Sequence, residues 1–521
     1  MAKARNLREE IMRFYTINRF DGGLNNRFAS HMLKDNQASS IIDFDLTTRG
    51  SLKTRDGYSK LNASCIPSAA TSAAYKPIRG LYRHYDVDGT ARWYAACSGR
   101  IHRSAGTHLS AVNSSAWTVN SWFDFESYKG QLFIYNDVDT SKRHTPSAGV
   151  AKVSAWNPAT LGALTCVRLW QDMLWVVPNS DQSKLHHPSA AGCTLDASYL
   201  ADDYLYVGRK DGGNIKRMEV LHGNLVVLKD TGIYVLTGTH PDNYQLDRMT
   251  KHGCTAKRSV VVGDKGIIYL APDGVRIFDG MNSELLSETD DYWVDIIGAM
   301  NSTNVVNATA TYFKRKYILA FDDSSTTTNY NNRAFVYNFL IRPYGAWTKY
   351  RLPANAFAVT KGTGEAHDLY FGSAVSGFVY KMFDGATDAG TAVAPSFQSK
   401  AFDLSDQYHD RSFEDKQFRK VLVQGELEAN EIFFTAKVDE GIGLTESFTH
   451  KYDRSGGFIL GVDRLGTGRL VAPEPRFSTE HNLATRASGK NISIEIKATA
   501  GSHKTQIKSL AIGFRDKRVR G

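Results

Sequence analysis

The residues best equipped for chemistry lie in short clusters. His186 and His187 are adjacent, and His252 and Cys254 flank one glycine. Imidazole and thiolate groups bind transition metals. Neighbours on an extended chain point to opposite faces, however, so His186 and His187 chelate one ion poorly. His252 and Cys254 supply two donors, and no second pair at zinc-site spacing completes the set. The pairs Asp202-Asp203, Asp290-Asp291 and Asp322-Asp323 raise glycoside hydrolysis and calcium binding. The first needs two carboxylates facing each other across a sugar. The second needs a loop supplying about six or more oxygens. Adjacent acids in a loop meet neither need, and turn capping is the expected role. There is no Walker loop, no Gly-x-Ser-x-Gly elbow and no His-Glu-x-x-His. The expectation is a protein without catalytic residues, cofactor or metal. Trp117, Trp122, Trp170, Trp175, Trp293 and Trp347 could form a carbohydrate platform, but their strand positions favour core packing.

The chain that must position these groups has 521 residues, too many for one ordinary core, so two or three folding units are expected. Its 22% charged and 42% apolar residues are those of a globular protein. Tyr and Phe dominate the aromatics and favour strands. The 43 glycines against 13 prolines suit many tight turns. The net charge of +9 permits a polyanionic partner without demanding one. Basic residues cluster at the two ends, as Lys3, Arg5, Arg8 and Arg13, and as Arg515, Lys517, Arg518 and Arg520. These read as solvated tails or subunit contacts, with direct nucleic-acid contact as the alternative. Cys65, Cys97, Cys166, Cys193 and Cys254 are scattered and odd in number, as expected of reduced thiols in a cytosol. The start lacks the layout of a signal peptide, and no run of about 18 apolar residues spans a membrane.

The first fifteen residues read as a short amphipathic helix or an arm, with Leu7, Ile11, Phe14 and Tyr15 at helical spacing. Arg49 to Tyr58 reads as a hairpin turned by Gly50 and Asp56-Gly57. From about residue 75 one pattern recurs: an apolar strand, a turn with glycine, a second apolar strand. Leu225–Leu228 with Ile233–Leu236, and Ile267–Leu270 with Val275–Phe278, are its clearest copies. Unit starts fall near residues 78, 121, 164, 215, 256, 307 and 356, about 40 to 50 residues apart, the spacing of propeller blades. Radial stacking buries the faces that single hairpins cannot. After residue 395 the alternation becomes clean, which predicts a small antiparallel sandwich. The expected architecture is all-β. An N-terminal arm and hairpin over 1–74 is a candidate for closing the ring. A β-propeller of about seven blades, with six or eight also open, covers 75–395, and a β-sandwich covers 396–521.

Phe20-Asp-Gly-Gly-Leu-Asn25, Asp35-Asn-Gln-Ala38 and Arg49-Gly-Ser-Leu-Lys-Thr-Arg-Asp-Gly-Tyr58 together resemble the opening of the tail nozzle proteins of short-tailed bacteriophages, also described as tail tubular or packaged-DNA stabilisation proteins. The residues that carry the resemblance are Gly22, Gly23, Leu24, Asn25, Asp35, Ala38, Gly50, Leu52, Arg55 and Gly57. Lys229 to Tyr234 and Leu270 to Val275 resemble the blades of the same group. The resemblance implies a virion protein made in the host cytoplasm. It implies a hexameric ring below the portal and adaptor proteins, supporting tail fibre or needle proteins. Contact with double-stranded DNA would be sequence-independent. Two other roles stay open: a glycan-binding or depolymerising tail protein, and a baseplate or tail-tip scaffold of a long-tailed phage.

Overall fold

Leu225-Val-Val-Leu228 is apolar at four consecutive positions, so both faces of its strand need cover. Both are covered. Leu225 and Val227 enter a core with Trp175 and Val177, while Val226 and Leu228 pack with Ile267 and Tyr269. The strand is second in an antiparallel sheet of Ile215–Leu221, Asn224–Lys229, Ile233–Thr237 and Gln245–Thr250.

The computed structural model describes residues 12–66, 76–105, 108–112, 117–145, 152–158, 161–190, 198–200, 202–288, 293–325, 330–341, 345–361, 366–405, 413–427, 431–451, 476–484, 487–498 and 504–516. Among them, seven four-stranded units of this kind form blades 1 to 7 of a β-propeller. Their innermost strands are Ile78–Tyr85, Asp124–Tyr128, Leu164–Trp170, Ile215–Leu221, Val261–Gly263, Thr309–Phe313 and Ala354–Val359. Neighbouring inner strands touch in that order, and the seventh meets the first. A separate apolar cluster fills each gap between blades. Blade 7 takes its outer strand from far away. Tyr58–Lys60 pairs antiparallel with Val379–Met382 and so closes the ring.

Two further sheets form a sandwich around one core that includes Phe418, Val423, Phe434, Ile494 and Ile512. The first sheet contains Arg13–Ile17, Phe44–Leu46, Leu52–Thr54, Lys416–Leu427, Arg476–Asn482 and Thr505–Asp516. The second grows out of blade 6. The outer strand of that blade, Ala346–Arg351, meets Gln37–Ile42 in parallel, and Ser396–Ser399, Ile492–Ala498, Glu431–Val438 and Thr445–Lys451 follow. Along Glu431–Val438 every second residue is buried, as its alternation predicts.

Three expectations change. The unit expected over 1–74 divides, because strands between Arg13 and Thr54 belong to the sandwich and Tyr58–Lys60 belongs to blade 7. Phe14 and Tyr15 lie on a strand paired with Gly513 and Ile512, not on a helix; Leu7 and Ile11 lie outside the described residues. The long final strand offers a free edge, and backbone pairing outweighs a helical spacing of four apolar residues. Gly50 does turn a hairpin, with Phe44–Leu46 against Leu52–Thr54. Asp56-Gly57 instead carries the chain from sandwich to propeller.

Candidate functional site: the domain joint and the propeller channel

The residues singled out between Gly22 and Gly57 converge on the joint between propeller and sandwich. Gly23 has φ +71°, and a Cβ there would stand 3.0 Å from both the Ala346 Cβ and the Trp347 carbonyl oxygen. Only glycine lets this backbone run so close to blade 6. Leu24 inserts into the core between blades 5 and 6. The Asn25 amide donates to the Ala38 carbonyl at 2.9 Å, and its Nδ2 donates to Gln37 Oε1 at 3.1 Å. The Gly22 amide donates to the Asn36 carbonyl at 3.0 Å. Asp35 pairs with Lys400 at 2.8 Å. Ala38 and Leu52 are buried in the sandwich core. A Cβ on Gly57 would lie 2.1 Å from the Thr387 carbonyl oxygen, and one on Gly50, at φ +82°, would touch the Arg19 side chain.

Arg55 holds this joint together. It is 1% exposed and bridges Asp43 at 2.7 Å and Asp388 at 2.6 Å. It also donates to the Arg351 carbonyl at 3.2 Å and lies over the Tyr350 ring. Arg351 in turn pairs with Asp43 at 2.8 Å. Burial would drive the Arg55 proton off, but the Asp388 bond and both carboxylates win and raise its pKa. Burial lifts the Asp388 carboxyl above its ordinary range despite Arg55. Asp43 itself sits at φ +57°, a conformation that aspartate tolerates better than most residues. Its amide donates to the Lys349 carbonyl at 2.8 Å. Nothing local in the sequence marks Asp43, because its partners come from two other segments, Arg55 and Lys349 to Arg351.

The propeller axis carries a second constellation. Arg168 of blade 3 reaches Glu219 of blade 4 at 2.7 Å and Glu126 of blade 2 at 3.4 Å. Arg217 of blade 4 binds Glu219 at 3.2 Å and crosses to Asp124 of blade 2 at 3.4 Å. Lys257 and Arg258, at the entry to blade 5, reach Asp124 at 3.4 and 3.2 Å. Burial favours the neutral Asp124 carboxyl, but Arg258, Lys257 and Arg217 overcome it and hold the group ionised far below its usual range. Burial raises Glu126, with Arg168 opposing. Beside this network lies a cavity of about 910 Å³. The far wall comes from blades 6, 7 and 1, including Thr311, Asn355 and Tyr82. The sequence does carry a signal for the network. Arg168, Arg217 and Glu219 place charge in strands rich in apolar residues, and an inner strand faces an axis where charge can be met.

The structure keeps the other chemical candidates apart. His186 packs on Tyr204, whereas His187 packs on Trp175. Cys254 is buried and its thiol donates to the Ala256 carbonyl, while His252 is exposed. Asp322 accepts from Asn301 and Asn304, and Asp323 pairs with Arg333 at 2.9 Å. Asp202 and Asp203 lie at the edge of blade 3; Asp290 and Asp291 lie outside the described residues, as do Cys193 and the basic residues Lys3, Arg5, Arg8, Lys517, Arg518 and Arg520. Trp117, Trp170, Trp175 and Trp347 are core residues. Trp293 meets Phe28 edge to face under Arg27, and Trp122 lies under Arg79 and Arg258. Among the described residues no three His, Cys, Asp or Glu side chains gather as a metal site, and no helix is long and apolar enough to cross a membrane. One grouping was not foreseen. Ser127 Oγ lies 2.8 Å from His84 Nδ1, and His84 Nε2 lies 3.2 Å from Asp86. These are the residue types of a hydrolytic triad. The His84 ring is fully buried between blades 1 and 2, and Asp86 is held by Arg92 at 2.9 Å, so the set ties two blades together.

No protein-family model matches the chain, and no curated protein matches it. Among solved structures it is similar to BBS1N in complex with ARL6DN, with 13% identity and a TM-score of 0.40 over 64% of this chain and 99% of that one. It is also similar to BamB from Moraxella catarrhalis, with 13% identity and a TM-score of 0.36 over 71% of this chain and 97% of that one. A third is the BT4673 extracellular domain from B. thetaiotaomicron, with 10% identity and a TM-score of 0.42 over 87% of this chain and 62% of that one.

Proposed function

We propose that this chain is a structural virion protein, the tail nozzle of a short-tailed bacteriophage. In this reading six copies form a ring below the portal and adaptor. The ring extends the DNA-ejection channel, retains packaged DNA and supports fibres or a needle. The observation that supports it best is the resemblance carried by residues 20 to 58, read with the place those residues take. They hold two domains together, and none lines the channel cavity. A nozzle must bear the thrust of packaged DNA without hinging. A sheet continuous from blade 6 into the sandwich, locked by a buried Arg55, suits that demand. The protein acts by shape rather than catalysis, and DNA contact runs through phosphates or confinement. Side chains cross the axis of each propeller, so the duplex passes along the lumen between copies.

Purified particles should contain about six copies of the chain, the stoichiometry of a closed ring. Deleting the gene should leave filled heads that leak DNA. One copy per particle, or absence from particles, overturns the reading.

A further inference from the structure

Two cysteines meet at the seam that closes the propeller. Cys97 ends Ala91–Cys97, the second strand of blade 1, and is 1% exposed. Cys65 is half-buried on the segment that follows Tyr58–Lys60, the outer strand of blade 7. That segment runs along blade 7. The Leu61 amide donates to the Val379 carbonyl at 2.8 Å, and the Ile66 amide donates to the Gly377 carbonyl at 3.0 Å. The Val379 amide donates to Asn62 Oδ1 at 2.7 Å. Ile66 then enters the core between blades 7 and 1, where Cys97 also packs. The two thiols converge on one atom. Cys65 Sγ lies 3.8 Å from the Ile66 carbonyl oxygen, and Cys97 Sγ lies 3.4 Å from the same oxygen. The sulfurs are therefore no farther apart than those two reaches together. Both are free thiols in this structure.

We propose that Cys65 and Cys97 are a redox-active pair whose disulfide locks blade 7 to blade 1. The chemistry needs no ring of copies, and so stands apart from the nozzle role. The oxidant is a small-molecule disulfide of the glutathione class. Cys65, the more accessible thiol, gives up its proton and attacks one sulfur of that disulfide. A mixed disulfide forms on Cys65, and the small thiolate that leaves takes up the proton. Cys97 Sγ then attacks Cys65 Sγ, and its proton passes to the second small thiolate as that leaves. Two protein thiols are oxidised to one disulfide, and one small disulfide is reduced to two thiols. Burial raises the Cys97 thiol to about 11, which suits it to the second, intramolecular step. The bond crosses the seam where a three-residue strand from outside the repeat shuts the ring. It also restricts the unfolded chain between the two cysteines. A reducing compartment keeps the pair open, and an oxidising one locks it.

The test treats the reduced full chain with oxidised glutathione under native conditions and maps its peptides by mass spectrometry without reduction. A peptide linking Cys65 to Cys97 and free of glutathione is expected. The propeller melting transition should rise by several degrees and return on addition of dithiothreitol. Cys97→Ser should stop at the mixed disulfide, with glutathione on Cys65 and no rise in melting temperature. Cys65→Ser should form no linked peptide and take up no glutathione at Cys97. Should Cys97→Ser fail to fold, wild type and Cys65→Ser still decide. A wild-type Cys65 that stops at the glutathione adduct overturns the proposal. So does a pair that stays reduced, linkage of either cysteine to another partner, or a linked pair with an unmoved transition.

Discussion

The propeller and the sandwich solve the same problem, burying β-sheet faces, in opposite ways. Six of the seven blades are built from strands consecutive in sequence, and each inter-blade core joins only neighbours. The sandwich draws its strands from both ends of the chain around one core. The first arrangement is local and repetitive. The second is non-local and can form only when Arg13 to Thr54 meets Lys416 to Asp516. The two meet in a short stretch, where Asp43, Asp45 and Arg55 reach sandwich and propeller alike. A few residues there set the cohesion of the whole molecule, and this is where the recognisable sequence features concentrate.

The largest expected effect breaks the joint itself. Arg55→Met leaves Asp43 and Asp388 buried without their shared partner, at a cost of about 3–5 kcal/mol. Calorimetry should show both domains destabilised. Loss confined to one transition would mean that the joint does not couple them.

A second substitution acts on the propeller alone. Lys229 is fully buried and pairs with Asp211 in the blade 4 region. Burial opposes ionisation of Asp211, but bonds from Lys229, Tyr234 and Thr231 hold its carboxyl down at about 2. Asp211→Asn strands the ammonium and should cost about 3 kcal/mol. The sandwich transition should not move. Because the folded pKa is depressed, this carboxylate stabilises above about pH 4, and that contribution fades as pH falls toward 2.

Acid should separate the two regions before that. Burial, helped by Arg100, lowers His102 to about 4, and burial, helped by Lys184, does the same for His186. Both lie in the propeller. The unfolded chain binds protons at these histidines below about pH 6.5, and the native propeller resists until about 4. Propeller stability should therefore be full above about pH 6.5 and fall between there and pH 4. Blade tryptophan fluorescence across a pH series of urea melts checks this. A His102→Gln, His186→Gln double variant should flatten the slope.

The smallest effect belongs to the sandwich. Phe448 stacks on His481 at 4.2 Å and on Phe434 at 5.0 Å, between strands at the edges of the two sheets. Phe448→Ala should cost about 1–2 kcal/mol, with the propeller transition unchanged. A shift in both transitions would erase the distinction between the regions.

Residues 225–236 and 267–278 show why the blades were legible in the sequence. Apolar runs around a glycine turn are local, and the expected unit starts near 78, 164 and 215 coincide with inner strands at Ile78, Leu164 and Ile215. The same holds for Glu431–Val438, whose alternation states that one face is wet. Tyr58–Lys60 in blade 7 was not legible as such, because three residues carry no address for a strand beyond Val379. Phe14 and Tyr15 misled for the same reason: spacing describes a face, not the strand waiting to pair with it. The motif residues could be picked out as turn formers and apolar anchors, yet their common location could not. The channel network was missed because a charge in a strand says only that it needs a partner.

What the sequence by itself determined is therefore the all-β class, the repeat and the two modes of patterning. These follow from periodicity and turn chemistry, which act over a few residues. Tertiary structure alone decided which strand closes the ring, which segments build the sandwich, and that Arg55, Asp43 and Asp388 share one buried site. It also decided that Arg168, Arg217 and Arg258 meet carboxylates across an axis. Pairing between distant segments is selected by the burial of whole faces and by charge balance in low dielectric, and neither is a property of any local stretch of chain.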